Sequence, residues 1–335
     1  MNSLIREMFN RAEDDEEIVN YFGDEATMEK EWKAFMFFFR SGEFVKFQND
    51  LKELGLQANK LKELYAQITP KHRYALAPKV HYTNKEKEEQ KLARRYDKNS
   101  SYASMLMTLP VYVGQAEDEE ERKKLLLDTL KGKSDGRFIF YLRTKQEGKF
   151  GLVRKGSVDT FRRNFYVYDF CLPRFLEGKK FKQIEVLDVI EYEERRPHFA
   201  SILEGLYEKR KSNKFLDLFI KSYLIVFANR MMEQSPLIKG WVLQSLACEV
   251  LPYKGLAKNI ALDEMSFTSH LDVTHFEKPD LKRGANSKWV ERPKGSRVRL
   301  GEAIGDWRRV KIKQKPIHTL ADELIRLDFL GGKTP

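Results

Sequence analysis

The spacing of apolar residues along the first 70 positions is typical of helices. Aromatic residues cluster between positions 32 and 39, and leucines then recur at Leu51, Leu54, Leu61 and Leu64. Apolar residues at such intervals place one face of a helix toward a core. We therefore predict a helical N-terminal lobe over residues 1–80.

Strand-like segments occupy the middle of the chain. Three segments between 137 and 170 are rich in aromatic and β-branched residues, a composition typical of strands: RFIFYLRT, KFGLVRK and NFYVYDF. A further strand is predicted at about 184–192, after a short helix near 173–178. At about 117–131, acids in the first turn and lysines in the last predict a helix, because the helix dipole favours that order.

The second half of the chain begins with a helix-rich run from about 198 to 251, interrupted near Pro236. Two short strands are then predicted at 258–263 and 265–271, joined by a turn at Asp263 and Glu264. The order of all these elements predicts an α+β protein.

The charge balance favours polyanionic partners. Lys plus Arg number 61 against 50 Asp plus Glu, and the formal net charge is +11, which is typical of proteins that contact nucleic acid. The two cysteines, Cys171 and Cys248, indicate neither a disulfide framework nor a cysteine metal site. No apolar run approaches the roughly 20 residues that a membrane span needs, and the N-terminus lacks a signal-peptide pattern. We expect a cytoplasmic protein, or one of the host cytoplasm if viral, with no membrane partner.

Positive charge is concentrated near the C-terminus. Between Lys278 and Lys315, thirteen Lys or Arg face four acids, and Trp289 and Trp307 lie among them. Such a surface can follow phosphates and stack on bases; a solvated basic face with two half-buried tryptophans is the alternative. The residues predicted to bind nucleic acid are Lys288, Trp289, Arg297, Arg299, Arg308, Arg309, Lys311, Lys313 and Lys315.

The segment from Asp97 to Tyr102 has residue types that suit nucleotidyl transfer. An acid at the end of a predicted strand can hold divalent ions, and Asn99 and Ser100 can offer groups to a triphosphate. Tyr102 would then stand over a sugar ring. The same Asp-x-Asn-Ser sequence also suits a turn or a helix N-cap, and local physics alone favours that interpretation.

Together, Asp97, Asn99, Ser100 and Tyr102 resemble the first palm motif of family B DNA polymerases in its protein-primed form, Asp-x-Asn-Ser-x-Tyr-Pro-Ser. Ala103 replaces the proline. The resemblance implies that Asp97 ligates metal, that backbone near Asn99 and Ser100 meets nucleotide phosphates, and that Tyr102 excludes ribonucleotides.

Helices within 198–235 resemble the fingers of that family, with Arg210 and Lys221 at the positions of the triphosphate-binding cations. Four residues after the lysine the family has Asn-Ser-x-Tyr-Gly, whereas this chain has Ile-Val-Phe-Ala-Asn at 225–229. The usual sensing of the base pair is therefore not expected.

The hairpin near Asp263 resembles part of the second metal-ligand motif, Tyr-x-Asp-Thr-Asp-Ser. With Ser266 at the motif's serine, Asp263 takes the first acidic place and Met265 the second; a register shifted by two gives Asp263 the second place. Glu264 would point to the opposite face of a strand from Asp263. We therefore expect Asp263 to be the partner of Asp97 in holding Mg²⁺ (or Mn²⁺).

The resemblance covers about residues 94–318 and implies an antiparallel polymerase-like palm sheet with helical fingers. It divides the chain into a helical N-terminal lobe (1–80), a first part of the palm (81–197), fingers (198–235), a second part of the palm with the hairpin (236–275) and a basic thumb-like lobe (276–335). Residues 1–80 lack the dispersed carboxylates of a proofreading exonuclease.

Two functions stay open on this sequence. The first is a minimal, exonuclease-less, template-directed DNA polymerase that uses a DNA template, a primer and deoxynucleoside triphosphates; priming by a terminal protein is implied by the branch resemblance. The alternative is a catalytically inactive, palm-derived nucleic-acid-binding protein of replication or packaging. An unrelated basic interaction protein would follow if Asp97 and Asp263 lay far apart. A divalent site at His270, Asp272 and His275 is less favoured than ordinary hairpin residues.

Overall fold

A computed structural model describes residues 22–68, 81–134, 137–144, 164–175, 184–268, 276 and 299–310 of the chain. The chain divides into two compact units. The first comprises Met1–Lys60, His198–Ala228 and Lys311–Pro335, and the second comprises Leu61–Pro197 and Asn229–Val310. Helices combine with antiparallel sheets, so the fold is α+β, as the sequence predicts.

Helices and strands follow one another in the order α1–α2–β1–β2–α3–β3–α4–β4–β5–α5–β6–α6–α7–α8–β7–β8–β9. The helices are α1 Glu25–Phe39, α2 Gly42–Ile68, α3 Ser101–Met105, α4 Glu119–Leu130, α5 Leu172–Phe175, α6 Ala200–Arg210, α7 Lys214–Gln234 and α8 Pro236–Val250. The strands are β1 His81–Thr83, β2 Arg94–Lys98, β3 Leu109–Gln115, β4 Phe138–Thr144, β5 Asn164–Tyr168, β6 Ile184–Arg195, β7 Asn259–Ala261, β8 Glu264–Phe267 and β9 Trp307–Val310.

The described part of the first unit is helical and has an aromatic core. Helix α1 begins after Asp24, whose carboxylate accepts a hydrogen bond from the Thr27 amide at 2.7 Å, as is usual at an N-cap. The rings of Trp32 and Phe35 pack on Phe215 of α7, with centroids 5.2 and 5.8 Å apart. The helices predicted from the aromatic and leucine pattern are confirmed here.

The second unit contains a five-stranded antiparallel sheet in the order β1-β7-β8-β2-β9. Side chains alternate along β2, so Tyr96 and Lys98 are buried on one face while Arg95 and Asp97 lie on the other. The buried face joins Met265 and residues of α8 in a hydrophobic core. The Asp97 face is therefore the one opposite the core.

A four-stranded antiparallel sheet, β3-β6-β4-β5, lies in the same unit. It contains the predicted strands of residues 137–170 and 184–192, as far as these are described. These strands pair with β3 and with one another, not with β2, and therefore form a sheet separate from the one that contains Asp97.

Helix α8 is buried and contributes to both sheet cores. Its residues Ala247 and Val250 pack in the core of the five-stranded sheet, and Cys248 packs against the core of the four-stranded sheet. Gln244 pairs with the edge strand β5: its Oε1 accepts from the Tyr168 amide at 2.9 Å, and its Nε2 donates to the Tyr166 carbonyl at 3.1 Å. One amide side chain thus satisfies two buried backbone groups of that edge.

The substitution Gln244→Leu leaves those two backbone groups buried without their partner. We expect the free energy of unfolding, measured by urea denaturation, to fall by roughly 2–6 kcal/mol, since each of the two buried unsatisfied groups costs about 1–3 kcal/mol. Gln90→Leu, at an exposed position, is the control and should change it by less than about 0.5 kcal/mol. Equal effects of the two substitutions would contradict this role of Gln244.

Candidate active site

Strand β2 brings Asp97 directly opposite Glu264 of β8. The amide of Lys98 donates to the carbonyl of Asp263 at 2.9 Å, so the next pair along the ladder, Asp97 and Glu264, is a non-hydrogen-bonded one. In such pairs the Cα atoms are about 4.5 Å apart and the side chains lie closer than elsewhere in the ladder. Two carboxylate side chains from different strands therefore lie on the same face of the sheet.

Asp263 lies in the turn and not in a strand. Strand β7 ends at Ala261 and β8 begins at Glu264, so the turn comes one residue earlier than the sequence analysis places it. This shift puts Glu264, and not Asp263, in register with Asp97. Burial, and after it the charge of Asp263, raises the pKa of the Tyr102 hydroxyl.

Asn99 and Ser100 form the turn between β2 and α3. Ser100 has φ 46° and ψ 52° and is the one non-glycine residue with positive φ among those that the structure describes. A residue with a Cβ in this conformation costs roughly 1–2 kcal/mol. The Asn99 side chain is 2% exposed and donates to the carbonyls of Gly301 and Ala303 at 3.4 and 3.2 Å. Asn99 thus fixes the strained turn, and its side chain is turned away from solvent.

Asp306 organises the loop that Asn99 contacts. Its carboxylate accepts from the Arg299 guanidinium and from the Ala303 amide. Its carbonyl accepts from the Asn99 amide at 2.9 Å, and the Gly305 amide donates to the Asn99 carbonyl at 2.8 Å. The loop before β9 is therefore joined to the turn that follows Asp97.

Lys98 lies on the core face of β2 in a buried ion pair. It is 5% exposed, and its Nζ donates to the Glu249 carboxylate of α8 at 2.6 Å and to the Gly305 carbonyl at 2.7 Å. The indole of Trp307 donates to the same carboxylate at 3.1 Å. Burial lowers the pKa of the Lys98 ammonium, while Glu249 opposes that shift. These contacts hold β2 and β9 against α8.

Arginines accompany the two acids on the sheet face. Arg95 forms an ion pair with Glu264, and each side chain keeps about a third of its surface exposed, 31% and 32%. On the other side of β2, the exposed Arg308 lies directly across from Asp97. Glu264 thus has the guanidinium of Arg95 beside it, and Asp97 has Arg308 across from it on the next strand.

Arg210 and Lys221 belong to the first unit. Arg210 is 8% exposed, and its Nε donates to the Asp217 carboxylate at 2.7 Å. Its guanidinium also lies over the ring of Tyr207 at 5.2 Å. Lys221 is half-buried on α7. Their binding of a triphosphate stays a prediction, and for Arg210 it would require an ion pair to open.

Of the basic residues predicted to bind nucleic acid, Arg299, Arg308 and Arg309 are described, and all three are exposed. Trp307 is fully buried in the core of the five-stranded sheet, so the expectation that it stacks on bases is wrong. Its position in β9, opposite Lys98, places its ring on the core face. Outside the described residues lie Lys288, Trp289, Arg297, Lys311, Lys313 and Lys315, as well as His270, Asp272 and His275.

The donor set of the sheet face fits a hard divalent cation. Carboxylates are ligands that Mg²⁺ and Mn²⁺ prefer, and Mg²⁺ is commonly held by one or two protein carboxylates together with phosphates of a substrate. Asp97 and Glu264 can supply such a pair. Among the residues described, no group of three or more His, Cys, Asp or Glu side chains is placed to hold a metal, so further ligands would have to come from a substrate or solvent.

Sequence reasoning missed Glu264 and Glu249 as members of the site. A signal for Glu264 was present, since polar and apolar residues alternate from Glu264 to Phe267, as in a strand that begins at Glu264. The pairing of Glu249 with Lys98 had no local signal, because the two residues are 151 positions apart.

Comparisons with known proteins give distant similarities only. No protein-family model and no curated protein matches the chain. Among solved structures, it is similar to Phi29 DNA polymerase in an orthorhombic crystal form, with a TM-score of 0.40 and 9% identity over 70% of this chain and 46% of that one. The same polymerase complexed with primer-template DNA gives a TM-score of 0.40 and 12% identity over 74% and 46%. This chain therefore spans less than half the length of these polymerase chains.

Within the described ranges, no helix is long and apolar enough to cross a membrane.

The substitution Lys98→Met removes one partner of the buried ion pair. We expect the free energy of unfolding to fall by roughly 3–5 kcal/mol, because the Glu249 carboxylate stays buried without a countercharge. The double variant Lys98→Met/Glu249→Gln leaves no buried charge and should regain much of the loss. Lys124→Met, at an exposed lysine of α4, is the control. If urea denaturation gave similar free energies of unfolding for Lys98→Met and Lys124→Met, the pair of Lys98 and Glu249 would not stabilise the fold around the site.

Proposed function

We propose that the protein is a template-directed nucleotidyltransferase, a minimal DNA polymerase whose acids are Asp97 and Glu264. The observation that carries the proposal is their direct opposition on two central strands of the sheet, on the face away from the core. It is supported by the resemblance of Asp97, Asn99, Ser100 and Tyr102 to a polymerase palm motif.

The residues around the acids suit this reaction. Asp97 and Glu264 would hold Mg²⁺ or Mn²⁺, which supplies charge neutralisation at a phosphoryl group and lowers the pKa of an attacking hydroxyl. The strained turn at Ser100 would offer backbone groups to the nucleotide, and Asn99 keeps that turn in place. Tyr102 would border the sugar ring of the nucleotide. Nucleotidyl transfer depends mostly on positioning and electrostatics, and these residues can provide both.

The substrates follow from the same resemblance. We propose a DNA template, a primer terminus and deoxynucleoside triphosphates, with Arg299, Arg308 and Arg309 as described cations that can contact phosphates. Priming by a terminal protein belongs to the proposal as well and rests on the resemblance alone.

A second function is favoured by one specific observation. Arg95 forms an ion pair with Glu264, which neutralises the acid that would otherwise be available to a cation. A protein that only binds nucleic acid, with a palm-like sheet and no catalysis, would keep such a pair permanently.

Primer extension on a primed single-stranded DNA template, with Mg²⁺ or Mn²⁺, tests the proposal. We expect Asp97→Asn and Glu264→Gln each to lower the extension rate by about 100-fold or more, since each removes a charged group required in the transition state. Asp263→Asn should retain activity within about tenfold, because Asp263 lies in the turn and is not opposite Asp97.

The matched control is Glu185→Gln, which removes a carboxylate from the cross-strand pair of Arg143 and Glu185 on the other sheet, with 3.2 Å between the charged atoms. It should leave extension unchanged. Loss of extension in Asp263→Asn, with activity retained in Glu264→Gln, would favour Asp263 as the partner of Asp97. Template binding without any extension by the wild type would favour the non-catalytic protein.

A further inference from the structure

Two arginines lie next to the acids on one face of the five-stranded sheet. Arg308 is opposite Asp97 on β9, and Arg95 is two residues before Asp97 on β2. Side chains at such diagonal positions of an antiparallel pair are separated by about 7–8 Å or less, which long side chains can span. Both guanidinium groups can therefore reach one ligand at the acids.

The hydrogen-bonding capacity of Arg95 is only partly used. One terminal nitrogen donates to Glu264, whereas its buried Nε–H has no acceptor within the described part of the chain. Ser266, which is directly across from Arg95 on β8 and 1% exposed, likewise has a hydroxyl without a hydrogen-bond partner there. Buried donors without acceptors cost free energy, so an acceptor oxygen from a ligand would stabilise the protein around Arg95 and Ser266.

Arg308 is exposed, and its side chain forms no ion pair or hydrogen bond with the residues described. The basic side chains at the α6–α7 turn differ, since each has a partner within the first unit. Lys209 pairs with Glu43, Arg210 with Asp217 and Lys211 with Glu208, at 2.7–2.8 Å. Arg95 and Arg308 thus have more hydrogen-bond donors available for a ligand than Lys209, Arg210 and Lys211 do.

The charges of this face also favour a phosphate. The positive charges of Arg95 and Arg308 balance the negative charges of Asp97 and Glu264. Without the arginines, the two carboxylates would repel a negatively charged phosphate. A guanidinium binds phosphate oxygens through two parallel hydrogen bonds, with a strength and geometry that a lysine does not provide.

We propose that Arg95 and Arg308 form a phosphate-binding pair that holds a phosphate group beside Asp97 and Glu264 even without a divalent cation. The phosphate is part of a DNA strand or of a deoxynucleoside triphosphate. This choice of ligands rests on the proposed function, whereas the inference that the two arginines bind a phosphate does not. Through this pair the sheet itself neutralises part of the phosphate charge.

Equilibrium binding in the presence of EDTA tests the pair, with the full-length chain and two separate ligands, a fluorescent single-stranded DNA oligonucleotide and a fluorescent deoxynucleoside triphosphate. We expect Arg308→Gln and Arg95→Gln each to weaken binding of at least one ligand roughly tenfold, as loss of a charged hydrogen bond does. For the oligonucleotide, the slope of log affinity against log salt should fall by about 0.7 for each arginine removed. The ligand that loses affinity identifies the source of the phosphate.

Arg308→Lys separates charge from geometry: it should retain the salt slope of the wild type and lose part of the affinity. Arg143→Gln removes an arginine of equal charge from a cross-strand pair on the other sheet and should change neither quantity. Unchanged binding of both ligands by Arg95→Gln and Arg308→Gln, or an equal loss in Arg143→Gln, would overturn the inference. Arginine-dependent binding without primer extension would reject the proposed polymerase and leave the phosphate-binding pair standing.

Discussion

The pairing register of β2 with its two neighbours is the constraint on which the candidate site depends. A shift of one residue would move every side chain of β2 to the opposite face. It would bury Asp97 in the apolar core and expose Tyr96. The buried pair of Lys98 and Glu249 opposes such a shift, because an ammonium removed from its carboxylate would leave a charge in the core. The position of Asp97 therefore follows from the burial of its neighbour.

The same register places opposite charges next to one another on the outer face. The two acids lie directly opposite each other, and their mutual repulsion is offset because Arg95 pairs with Glu264 and Arg308 lies across from Asp97. In a partly buried setting, such charges interact more strongly than they would in water. The arrangement suits a ligand that carries both negative oxygens and bound cations, and a phosphate ester with a divalent ion is such a ligand.

Much of the fold could be predicted from the sequence, because its elements have local signals. The helix near 117–131, the strands within 137–170 and the break before α8 are all confirmed where the structure describes them. Asp97 could also be singled out, since its motif is contiguous. The partner acid could not be fixed, because a turn that begins one residue earlier exchanges Asp263 for Glu264. Nor could the burial of Asn99 and Trp307 be predicted: both depend on contacts between β2 and a loop some 200 residues away.

Crystals of the full chain with a primed DNA template, a non-hydrolysable deoxynucleoside triphosphate and Mn²⁺ would show whether Asp97 and Glu264 hold a divalent ion together. Anomalous scattering would locate the ion independently of any activity. We expect Mn²⁺ within coordination distance of both the Asp97 and the Glu264 carboxylates, with Arg95 released from Glu264. Mn²⁺ bound to Asp263 while Glu264 stays paired with Arg95, or no Mn²⁺ at the sheet, would contradict this expectation.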